Sequence, residues 1–102
     1  MKLGVIAIGA TLVGLLLAPG DLSAYRGAQL ARQARVTIEQ ARTIALQTRA
    51  GTITDEELEH EKGGSGLRYS FDIKSDGALY EVGVDAQTGK VLENKKEGPH
   101  PD

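Results

Sequence analysis

At 102 residues, with a net charge of −2 and no cysteine, the chain has room for one small core, and neither disulfides nor thiolate metal ligands can reinforce it. Twelve basic against fourteen acidic residues is too even a balance for a nucleic-acid-binding surface. The charges are nevertheless segregated: residues 25–50 carry a net +4 and residues 51–102 a net −6, which points to a basic helical half packed against an acidic sheet half.

Met1 and Lys2 form a short positive start, Leu3 to Ala18 is an unbroken run of sixteen apolar or small residues, and Pro19-Gly20 breaks it before Leu22-Ser23-Ala24. That order is the order of a secretory signal, cleaved after Ala24. The run is shorter than the ~20 residues that span a bilayer unstrained. The expectation is an exported protein, periplasmic or extracellular, that meets a membrane only if this segment is retained. Cleavage leaves 78 residues, near the ~70–80 at which a single core gives only modest stability.

Residues 25–35 are rich in Ala, Gln and Arg with Leu30 as the one large aliphatic, a basic leader with helical propensity and little to bury. The first firm element begins at Thr37, where Thr37-Ile38-Glu39-Gln40 has the spacing of a capping box. At about 100° per residue, Ile38, Ala41, Ile44, Ala45 and Thr48 share one stripe, with Arg42 and Arg49 at its border. Leu46 lies off that stripe, so it is assigned to packing under the leader. Gly51 suits the C′ position that ends the helix.

Beyond Gly51 the period changes to two, with turn residues at short intervals, as in an antiparallel meander. A first strand from Ile53 to Glu61 has only Ile53 and Leu58 as aliphatics and reads as an edge strand guarded by charge. After the flexible stretch Lys62 to Gly66, the second strand sends Leu67, Tyr69, Phe71 and Ile73 to one face and Arg68, Ser70 and Asp72 to the other. Ser75-Asp76-Gly77 is a hairpin signal. The third strand turns Tyr80, Val82 and Val84 inward and Leu79, Glu81 and Gly83 outward. A short last strand surrounds Val91 and Leu92, and residues 95–102, with Pro99 and Pro101, read as a disordered tail. The fold class is α+β: one amphipathic helix packed on one face of a four-stranded antiparallel meander, after an N-terminal signal peptide.

The run Thr37 to Ala41 with Ile44-Ala45-Leu46, then Tyr80-Glu81-Val82 and Asp85-Ala86-x-Thr88-Gly89-x-Val91, resembles the PepSY domain. The resemblance covers residues 36–94 and divides the chain into signal (1–24), leader (25–35), domain and tail. In the motif Asp85 can accept backbone donors of its turn and Gly89 can take positive φ, so a structural role accounts for it without catalysis. PepSY domains occur in propeptides of secreted metallopeptidases, in membrane proteins and as small exported proteins. The resemblance therefore implies a non-catalytic binding module whose partner is a protein, a secreted or envelope peptidase among the candidates.

The remaining residues offer little chemistry of their own. His60 and His100 can share a metal only if the tail folds back, and the carboxylates of residues 55–61 alternate between faces. Ser65, Ser70 and Ser75 have no triad order, and Gly63 to Gly66 lacks the Lys-Ser/Thr and helix of a phosphate loop. The reading is no catalytic residue, no metal and no cofactor. Partner contacts are expected at Arg68, Asp72, Leu79 and Glu81, which alternate away from the core, with Leu79 an apolar group on a polar face. A structural or sensory accessory at the membrane and a weak cation-binding protein are the alternatives.

Overall fold

The computed structural model describes residues 25–98. The signal segment and cleavage after Ala24, and residues 99–102 with His100 and both tail prolines, lie outside the described residues. A short 3₁₀ turn, Ala28–Gln33, precedes helix α1, Ile38–Thr48. Four strands follow: β1 Thr52–His60, β2 Leu67–Ser75, β3 Ala78–Asp85 and β4 Val91–Lys96. They form one antiparallel sheet in the order β1-β2-β3-β4.

Helix α1 starts where the capping box places it. The Gln40 amide donates to Thr37 Oγ1 at 3.1 Å and the Thr37 amide to Gln40 Oε1 at 2.9 Å, satisfying two donors that a helix start otherwise leaves unpaired. Ile38, Ala41 and Ala45 are buried, while Ile44 and Thr48 are half-buried at the stripe's margin. The two alanines let the helix sit close on the sheet. Beneath it lie Leu58, Leu67, Tyr69, Phe71, Ile73, Val82 and Val84, with Tyr25, Leu30, Ala34, Val36 and Ile53 packed at the rim. The Tyr69 hydroxyl donates to the Val36 carbonyl at 2.7 Å, which locks the helix entry to the middle of β2.

The basic residues of the helix reach the sheet through an ion pair and a cation–π contact. Arg42 meets Glu56 through two bonds of 2.8 and 2.6 Å, and Arg49 lies 3.8 Å over the Tyr80 ring with its Nε 3.4 Å from Asn94 Oδ1. Glu56 faces the helix because β1 carries a bulge between Ile53 and Asp55. The extra residue, Thr54, resets the alternation, so that both Ile53 and Leu58 point inward although their numbers differ in parity.

Several expectations are corrected. Gly51 is not the helix C′ residue: Arg49 is the C-cap, and Gly51 serves clearance instead, since a Cβ there would collide with the Lys74 carbonyl oxygen. Leu46 is exposed rather than covered by the leader, because the leader packs along β1, where the Leu58 amide donates to the Arg26 carbonyl at 2.9 Å. β4 runs through Lys96, with the Glu97 amide bonded to the Leu79 carbonyl. Lys95 and Lys96, read as the start of the tail, are therefore strand residues.

Candidate protein-binding face

Away from the helix, strand register assembles a row of side chains across the sheet: Asp55 on β1 pairs with Asp72 on β2, which pairs with Glu81 on β3, which pairs with Lys95 on β4. A second row joins Glu57, Ser70, Gly83 and Glu93. Because the Thr54 bulge fixes the parity of β1, its carboxylates at 55, 57 and 59 all come to this face. With Asp72, Glu81 and Glu97 they line a cleft of about 360 Å³. Like charges directly opposite one another are unfavourable, so the carboxylates of this row repel one another.

The electrostatics follow from that crowding. Burial, then Glu93, Glu97, Asp72 and Glu59, push the Glu81 carboxyl up to about 7. Asp72 is raised by burial and by Glu97 and Asp55. Glu59 is raised by burial, against a hydrogen bond of 2.8 Å from Ser70 Oγ. At the β1 side Arg26 partly answers the row, reaching Asp55 at 3.2 Å and Glu57 at 2.9 Å.

The expected contact residues are not equivalent. Asp72 and Glu81 stand next to each other in the cleft, as their alternation required. Leu79 is half-buried at the start of β3, opposite Lys74. Arg68, expected outward and free, is only 7% exposed. Its guanidinium lies against Gly83, donates to the Lys62 carbonyl at 2.9 Å and pairs with Glu93 at 3.3 Å. Gly83 makes room for it, so the arginine braces the face from within. The face also draws on Arg26 of the leader, on Asp55, Glu57 and Glu59, three members of the acidic run 55–61 that share one parity rather than being divided between faces, and on Glu97, which lies beyond the expected last strand. The odd spacing of 55, 57, 59 and 61 was the signal available in the sequence.

The motif turn lies at the end of the domain and is built as a scaffold. Asp85, 1% exposed, accepts the amides of Ser65 at 2.6 Å, Gln87 at 2.8 Å and Thr88 at 3.1 Å. Burial alone would raise its carboxyl, but these donors bring it down to about 2. Ala86 is fully buried; its carbonyl accepts the amides of Arg35 and Val36, and its amide donates to Leu67. Gly89, at φ 80°, faces Ile44, and Val91 pairs with Val84. The Gly63 to Gly66 stretch is long for a hairpin because it must wrap Asp85: a Cβ on Gly64 would strike the Asp85 carboxylate.

A capped helix on a four-stranded meander, with an acidic cleft on the far side and a turn whose polar groups are spent on the fold, defines a small α+β module. The family model for the peptidase propeptide and YPEB domain, PepSY, matches residues 35–95, and the chain belongs to that family. PepSY domains are in general non-catalytic propeptide or inhibitor modules and occur in exported proteins. Comparisons with curated proteins and with solved structures give no match. Among the described residues no group of His, Asp or Glu is arranged to hold a metal ion, and no helix is long and apolar enough to cross a membrane.

Proposed function

We propose that this chain is an exported, non-catalytic binding module that docks a basic segment of a protein partner on its outer sheet face, and that it restrains that partner where the partner is a secreted or envelope peptidase. The observation that carries this reading is the Asp55-Asp72-Glu81 row: three carboxylates in register, of which burial and neighbouring carboxylates raise Asp72 and Glu81. A Lys or Arg brought into the cleft removes repulsion that the fold otherwise bears. Asp72 and Glu81 are the charged contacts, Leu79 an apolar contact at the rim, and Arg68 positions Glu93 beside them.

Export is the other half of the proposal. It rests on the order of charge, apolar run and small residues in the first 24 positions. Intact mass of the exported protein should begin at Tyr25, and Met1 retained on every exported molecule would favour the membrane-held accessory instead. For the binding half, capture with the mature chain identifies the partner. Replacing Asp72 and Glu81 together by Asn and Gln should weaken the complex at least about tenfold while leaving the melting temperature unchanged or higher. A partner whose affinity ignores that double change binds elsewhere.

A further inference from the structure

We propose that the outer edge of β4 is a self-association edge, through which two copies pair antiparallel about a two-fold axis at Asn94. The two edges of the sheet are treated differently. The outer edge of β1 is covered by the leader, which forms a parallel bridge from Arg26 to Glu57. Among the described residues no strand lies beyond β4 in the sheet order.

The direction of the backbone groups on β4 follows from one bond. The Glu97 amide donates to the Leu79 carbonyl, and with Tyr80 opposite Lys96 and Val82 opposite Asn94, the odd residues 93, 95 and 97 turn their amides and carbonyls toward β3. Asn94 and Lys96 turn theirs outward. An antiparallel copy centred on Asn94 then exchanges both backbone bonds between the two Asn94 residues. The same register sets Glu93 opposite Lys95 of the second copy, and Lys95 opposite Glu93 of the second copy. Those pairs fall at the non-hydrogen-bonded positions, where strands bring side chains closest.

The strand is thus complementary in charge to its own reverse, and its axis residue is uncharged, so no like charges meet at the centre. Glu93 and Lys95 both lie on the outer face, where they pair within one chain at 3.6 Å. The two-fold copy adds a third cation to each Glu93, which within its own chain already pairs with Arg68 and Lys95. A pairing limited to β4 is short, so the association is weak and depends on concentration.

Sedimentation velocity on the full chain, in whatever N-terminal form the cell delivers, tests this between about 10 µM and about 1 mM. A monomer–dimer equilibrium is expected. Asn94→Pro removes an amide that points away from β3, which an edge strand tolerates, and should abolish the dimer while the melt stays within a few degrees. Lys95→Glu turns two attractive pairs into repulsive ones and should weaken the dimer by about tenfold or more, with the melt run on the same sample to separate loss of pairing from loss of fold. A chain that stays monomeric at the highest concentration, a dimer that survives either substitution, or an Asn94→Pro chain that does not fold would each overturn the proposal.

Discussion

Asp85 and Glu81 stand four positions apart on β3 and titrate in opposite directions. Asp85 is held at about 2, below its ordinary 3.8, so its contribution to stability is complete above pH 3.8 and is lost as the pH falls toward 2. Glu81 is raised from 4.5 to about 7, so the fold favours its neutral form. That contribution is complete below pH 4.5 and is lost as the pH rises through 7. From these two groups, stability measured by urea unfolding should be greatest near the bottom of the Glu81 window and decline on both sides. Glu81→Gln should flatten the limb between pH 4.5 and 7; a curve that overlays the unsubstituted chain would show that Glu81 does not carry it. Asp85→Ala leaves three amide donors unpaired in a buried turn and should cost at least about 3 kcal/mol, read from the same unfolding curves.

Among the elements, β1 depends most on one residue. Thr54 is the bulge, so deleting it leaves Ile53 inward, Asp55 outward and Glu56 against Arg42, the parity the strand already has. Deleting Glu57 instead moves Leu58 to the outer face or Glu56 away from its arginine. The first deletion should give a folded chain with a modest loss in melting temperature, and the second should unfold it. Equal melts for the two would contradict the bulge. In β2, Phe71 is fully buried, and Phe71→Asp should cost more than about 4 kcal/mol and abolish the melt. Ile44→Asp, at the helix margin beside Gly89, should cost less. Half-buried Glu57→Ala loses only a pair with the exposed Arg26 and should change stability by less than about 1 kcal/mol.

Over the whole molecule, charge is sorted twice. The helical half is joined to the sheet through Arg42 and Glu56, and the surplus acid is gathered on the far face, with Arg26 as its one leader cation in the cleft lining. A complex formed there with a basic segment should weaken steeply as salt rises from about 0.1 M to about 1 M, since the screening length falls from about 10 Å to about 3 Å. Affinity by calorimetry at the two salts checks this, and a complex indifferent to salt would argue for an apolar contact.

The sequence alone was enough for helix α1, the four strands and the core face, because those rest on local rules: a Thr-x-x-Gln cap, a helical stripe, and alternation in Leu67-Tyr69-Phe71-Ile73. It also made Asp85 an acceptor in its own turn. Tertiary structure decided what depends on distant neighbours. Alternation put Arg68 on the outer face, but only the pairing of β2 with β3 shows Gly83 beneath it and Glu93 beside it. The acidic cleft needed a bulge that no turn residue announces, and β4 reached Lys96 because Leu79, eighteen positions from Glu97, offered a carbonyl. The purpose of the glycine stretch was equally hidden, since its demand for small residues comes from Asp85 across the sheet and from nothing in the stretch itself.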